Sequence, residues 1–133
     1  GEHVANEVIK LMIQRDIAVA GSRILILGMA FKENCPDLRN TRVVELAQRF
    51  REYRAQVDIH DPWVDPATAR HEYGVELLTE QPQQGRYDAV VLAVAHEQYR
   101  ELGAGGARRF GRPGALLYDI KSLYPRDQVD ARL

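Results

Sequence analysis

Hydrophobic positions along this chain follow two alternating rhythms. In residues 3–15, Val4, Val8, Leu11 and Met12 share one helical face, with Ile9 and Ile13 beside it. The run RILILG (23–28) is continuous, rich in leucine and isoleucine and closed by glycine, which predicts a strand covered on both faces. Val43, Leu46, Ala47 and Phe50 then return to helical spacing, flanked by Val44 and Tyr53, and Asn40 or Thr41 stands where a cap belongs. QVDIHD (56–61) reads as a second strand stopped by Pro62, after which Asp65 and Pro66 supply a cap and a first helical residue. YDAVVLAVA (87–95) and GALLYDI (114–120) predict two more strands. Segments 97–102 and 104–110, the latter glycine-rich, predict short helices or turns, and no repeat or low-complexity segment interrupts the pattern.

Strands alternating with helices imply βαβ units, and hence a Rossmann-like three-layer α/β/α fold around a mostly parallel sheet. Such sheets take their ligands in the crevice beyond the carboxyl ends of the strands. That rule singles out the segments 28–41, 60–65, 94–98 and 119–124. Their polar residues are Lys32, Asp37, Arg39, Asp61, His96, Asp119 and Lys121.

Composition narrows the function classes. A chain of 133 residues suits one domain with one core. The net charge of −1 argues against a dedicated nucleic-acid binder or a polybasic membrane binder. No apolar run approaches a membrane span, and no signal-peptide pattern is present. A single cysteine, Cys35, excludes an internal disulfide framework and fits a reducing cytoplasm. The chain lacks an initiator methionine and begins directly in helical periodicity, which suggests a piece of a longer protein.

The loop GMAFKENCPDLRNT (28–41) carries the richest chemistry. A dinucleotide fingerprint needs several glycines so that backbone approaches a pyrophosphate. Here Gly28 stands alone and the loop is too long, so this is not that turn. Lys32 and Arg39 still offer a point charge and a fork for phosphate, near the amino end of a helix, and Phe31 offers a cover for a base or sugar. The competing reading is a solvated loop with internal ion pairs. Cys35 has no histidine nearby to activate it and reads as packing before Pro36. The four histidines, at 3, 60, 71 and 96, show no metal-ligand spacing. His96, which follows LAVA at a strand's end, is the best-placed polar histidine for the crevice or else a helix-start residue near solvent. Lys121 is either a crevice cation or an exposed loop charge. Trp63 and Tyr73 read as packing, and Arg108, Arg109 and Arg112 as a solvated basic face.

GMAFKENCPDLRNT, DIHDPWVDP, YDAVVLAVAH and YDIKS occur in an order and spacing that resembles the C-terminal domain of the UDP-glucose/GDP-mannose dehydrogenase family. The resemblance extends over essentially the whole chain, and the ENCPDLRNT form is similar to the branch acting on UDP-N-acetylhexosamines. It implies that residues 1–20 end a central linking and dimerisation helix and that 21–133 form a UDP-sugar-binding domain. It implies a cytoplasmic, homodimeric enzyme using NAD twice to turn a sugar C6 alcohol into a carboxylate for surface polysaccharide. The glycine-rich NAD fingerprint and the catalytic cysteine would then lie in absent N-terminal and central domains, leaving this chain without a catalytic residue and inactive alone.

Carried over position by position, the resemblance gives Phe31 and Lys32 to the nucleotide sugar and Arg39 to NAD held by another domain. Asp37 would steady Arg39 or the loop, and Asn40, Asp119 and His96 would support the loops. Lys121 falls where UDP-glucose enzymes place a substrate-binding arginine. That departure keeps the charge and loses the fork. A different class of reading is a non-catalytic α/β association module, favoured by the apolar face of the first helix. A phosphoacceptor receiver domain fits poorly, because Gly28 occupies the place where such domains need acids.

Overall fold

In the computed structural model, which describes residues 2–133, the first apolar run becomes strand β1 (Arg23–Leu27). Its Ile24, Leu25, Ile26 and Leu27 are all fully buried. The neighbours explain this. β1 pairs in parallel with β2 (Gln56–His60) on one side and β3 (Tyr87–Leu92) on the other. β4 (Gly111–Asp119) and β5 (Ala131–Arg132) extend the sheet in the order β2-β1-β3-β4-β5, every pair parallel.

Alternation along the strands divides the interior into two cores. Ile24 and Ile26 of β1, Ala89 and Val91 of β3, and Leu116 and Tyr118 of β4 face a core completed by helices α1 (Glu2–Gln14), α2 (Val43–Glu52) and α3 (Pro66–Tyr73). Leu25, Leu27, Val90, Leu92 and Leu117 face the other, closed by α4 (Glu97–Arg108) with Phe110, Tyr124 and Val129. Each wholly buried aliphatic side chain contributes about 1.5–3 kcal/mol relative to exposure. α1 supplies Val8 and Met12 to the first core and packs on α2 and β4.

The chain leaves β1 toward α2 on one face and leaves β3 toward α4 on the other. The loops that follow them therefore depart on opposite faces at the reversal of strand order, where such sheets take their ligands. Gly28 makes the adjoining turn, at φ +106; a Cβ there would lie 2.6 Å from the Val94 Cβ. Only glycine lets the ends of these two strands pass so closely.

Several boundaries differ from the sequence pattern. The sheet is parallel throughout. The strand expected over 87–95 stops at Leu92, because Ala93 and Val94 both donate backbone hydrogen bonds to the Leu27 carbonyl as the chain turns away. The strand expected over 114–120 begins at Gly111 and ends at Asp119. A register shift opposite Tyr87 and Ala89 accommodates Pro113, which has no N–H to give the ladder. Segments 97–102 and 104–110 form one continuous run broken at Gly103, whose φ of 73° and ψ of 168° are not helical. β5 has two residues, too few for a readable alternation. Asn40 does not cap α2. It takes a left-handed turn (φ 63), and Thr41 Oγ1 instead accepts from the Val43 N–H at 3.3 Å while donating to the Met29 carbonyl at 2.6 Å. Asp65 does cap α3, accepting from the Ala67 N–H, with Pro66 next and Gly74 closing the helix in the left-handed conformation.

Candidate functional site

Asp61 ends β2 and organises the crevice. Its Oδ2 accepts the backbone N–H of Met29 at 2.7 Å and of Ala30 at 2.9 Å, and its Oδ1 accepts the Trp63 N–H at 2.8 Å. His96, at the start of α4, adds a fourth bond from Nε2 to Oδ2 at 2.9 Å. The tautomer follows from the far side of the ring. The Asn34 backbone N–H can only donate, and it lies 2.9 Å from His96 Nδ1, so Nδ1 accepts and the proton sits on Nε2. Burial pushes the Asp61 carboxyl up, but the bonds from His96, Met29 and Ala30 outweigh it and hold the group below its ordinary range.

Asn34 completes the strap. At φ 54 its side-chain Oδ1 accepts the Glu97 N–H at 2.8 Å, so the loop after β1 is tied to the first turn of α4. His96 therefore does not stand near solvent as the sequence suggests. It is fully buried between Asp61 and the loop backbone. Two apolar-looking neighbours in sequence, Ala95 and Val94, gave no hint of a partner 35 residues away. His60 lies close by, its ring packed against Tyr99 as the His96 ring is. The Tyr99 hydroxyl donates to the His60 carbonyl at 2.9 Å and lies 2.8 Å from His60 Nδ1. Burial lowers the pKa of His60.

Asp37 shapes the outer part of the loop. Its carboxylate accepts Arg39 Nε at 3.0 Å, Nη2 at 3.0 Å and the Arg39 backbone N–H at 2.9 Å. Its carbonyl accepts the Phe31 N–H at 2.8 Å. The Arg39 side chain is 86% exposed, so Asp37 presents the guanidinium outward rather than burying it. The Arg39 bonds come first in holding Asp37 below the usual carboxylate range. Tyr73 serves the same loop by donating its hydroxyl to the Leu38 carbonyl at 2.8 Å, and Trp63 Nε1 donates to Gln98. After β4, the fully buried Asp119 accepts the N–H groups of Lys121 at 2.9 Å and Tyr124 at 2.8 Å, folding that turn back on itself.

Between the loop and that turn lies a cavity of about 280 Å³. Phe31, Asn40 and Lys121 line it together with Ala30, Ala93 and Ile120, which sit just beyond the ends of β1, β3 and β4. Its side wall comes from Val43 and Leu46 of α2 and Val4 of α1. The structure thus gathers Phe31, Asn40 and Lys121 at one hollow. Lys32 and Arg39 lie outside its lining, exposed on the loop. Asp37, Asp119 and His96 hold backbone. Sequence reasoning missed Arg42, which also lines the cavity, because it looked like part of the helix start. It placed Asp61 at the crevice without giving it a task; an acid closing a strand before Pro62 was the available signal.

No cradle for a dinucleotide pyrophosphate exists in the turn after β1. The space beside Gly28, where such a group would lie, is filled by Val94. The turn closes on protein.

A doubly wound α/β domain with a partly apolar, cation-lined hollow at the strand reversal is a nucleotide-ligand-binding architecture. The chain belongs to the UDP-glucose/GDP-mannose dehydrogenase family: the model of that family's UDP binding domain matches residues 25–126. Over all 133 residues the chain is 45% identical to the UDP-N-acetyl-D-glucosamine 6-dehydrogenase of Pseudomonas aeruginosa and 44% identical to that of Salmonella typhi. It covers 31% of each, so it spans about a third of the length of these curated relatives. Among solved structures, the NDP-N-acetyl-D-galactosaminuronic acid dehydrogenase of Methanosarcina mazei shares the fold at a TM-score of 0.83 and 24% identity, over 96% of this chain and 26% of that one. A UDP-glucose dehydrogenase from Pyrobaculum islandicum superposes at 0.71 with 26% identity, over 98% of this chain and 29% of that one.

Proposed function

We propose that this chain is the UDP-sugar-binding part of an NAD-dependent nucleotide-sugar 6-dehydrogenase, acting in the cytoplasm on a UDP-N-acetylhexosamine for surface polysaccharide synthesis. The observation that carries the reading is the hollow beyond β1, β3 and β4, lined by Phe31 and Lys121 in a chain matched by a UDP binding domain. The names of the bacterial relatives support the N-acetylhexosamine. The same findings favour this reading over a non-catalytic association module.

In this account the chain binds and orients while the reaction takes place at its border. Phe31, half exposed at the rim, covers a ring of the ligand. Lys32 and Lys121 supply point charges to its phosphates. Arg39, held outward by Asp37, reaches an NAD carried mainly by an N-terminal domain, consistent with the absence of a cradle after β1. NAD, when bound, accepts the electrons of the C6 oxidation. No catalytic role is assigned to Cys35, which is half-buried in the loop. The complete enzyme works as a homodimer with its N-terminal and central domains.

The test is kinetic. In the full-length protein carrying this chain, Lys32→Ala is expected to raise KM for the UDP-sugar about tenfold, as loss of a charged hydrogen bond does. Arg39→Ala is expected to raise KM for NAD while leaving that for the sugar near its original value. Unchanged constants in both variants would contradict the assignment.

A further inference from the structure

Arg42 lines the same cavity as Lys121, at the residue just before α2. Its carbonyl accepts the Leu46 N–H, so the backbone belongs to the helix. Its side chain does not. Among the described residues, neither Arg42 nor Lys121 takes part in an ion pair, whereas Arg15, Arg39, Arg49, Arg70 and Arg108 do. Lys121 is anchored only through its backbone N–H, on Asp119. Two cations without acidic partners thus border one hollow whose walls are largely apolar, formed by Val4, Val43, Leu46, Ala93 and Ile120.

That combination selects an amphiphilic anion. Like charges beside a shared cavity repel, and the repulsion is relieved when an anion lies between them. The two cations are also complementary in kind: Lys121 gives a mobile point charge, while Arg42 gives a planar fork that grips two oxygens at once. A diphosphate offers oxygens to both, and the apolar walls take the remainder of the ligand.

We propose that Arg42 is a further ligand-binding residue, whose guanidinium holds the diphosphate of the nucleoside diphosphate moiety jointly with Lys121. This rests on the UDP-sugar reading above and adds to Lys32 and Lys121 a further residue that recognises phosphate. Asn40 and Thr41 direct it. The left-handed turn at Asn40 and the Thr41 hydroxyl on the Met29 carbonyl fix the start of α2 against the end of β1, aiming position 42 at the hollow.

The experiment titrates the chain with UDP and, separately, with uridine, in the wild type, Arg42→Ala and Arg42→Lys, with a thermal melt of each. The wild type is expected to bind UDP more tightly than uridine. Arg42→Ala is expected to weaken UDP about tenfold or more, as loss of charged hydrogen bonds does, with uridine binding and the melt unchanged. Arg42→Lys is expected to recover part of the loss. UDP affinity in Arg42→Ala within twofold of wild type would overturn the inference and leave the UDP-sugar reading standing. Equal losses for UDP and uridine would also overturn it, because the effect would not then be on phosphate. Absence of UDP binding in the wild type would overturn both.

Discussion

Asp61 and His96 show how much of this site is held by side chains bonded to loop backbone. Asp61 fixes Met29 and Ala30, His96 fixes Asn34, and between these anchors lie Phe31 and Lys32. A loop pinned at both ends enters binding already ordered and loses less entropy there. His60, packed on the same Tyr99 ring as His96, makes a further contribution that pH reveals. Burial lowers its pKa, so the fold favours neutral imidazole. An unfolded histidine takes up its proton near pH ~6.5. The stabilisation is therefore complete above that pH and is lost as pH falls through the lowered folded value. Urea midpoints measured between neutral and mildly acidic pH are expected to fall on acidification, and to fall less steeply in His60→Asn. Equal slopes would show that His60 carries none of the acid sensitivity.

At the scale of elements, the turn joining β1 to its loop depends on Gly28. Alanine there would have to hold φ +106 and place its Cβ 2.6 Å from Val94. Gly28→Ala is expected to destabilise the chain by roughly 2–4 kcal/mol, from overpacking together with strain at positive φ, read as a lower denaturant midpoint. If Val94→Ala in the same chain restores part of the loss, the contact and not the dihedral angle dominates. The two central strands were legible in the sequence because ILIL (24–27) and AVVL (89–92) are apolar without interruption, as two-faced strands require. The strand after residue 110 was partly hidden by Arg112, Pro113 and Gly114, which sit in its irregular first half. The sequence left Asn40 and Thr41 both open at the start of α2, because propensity favours asparagine for caps and for left-handed turns alike, and it is Thr41 that accepts the Val43 N–H.

For the whole molecule, parallel topology already placed the candidate loops at the carboxyl end of the sheet, and that is where the hollow lies. What topology withheld was partnership. Nothing in the spacing of Asp61 and His96 shows a bond across 35 residues, and nothing in the helical pattern around Arg42 separates a cavity cation from a solvated one. Such facts come from the packing of two cores on one sheet, which brings the ends of β1, β3 and β4 beside the start of α2. No described helix is long and apolar enough to cross a membrane. The net charge of −1 leaves the cations of the crevice as a local feature and not part of a basic surface.

The central claim is that this crevice binds a UDP-sugar, and its most direct test follows backbone amide NMR signals of the chain during titration with UDP. The account predicts saturable shifts concentrated at residues 30–32, 40–43 and 119–121, with the opposite edge of the sheet unmoved. Saturable shifts elsewhere, or none up to millimolar UDP, would contradict it.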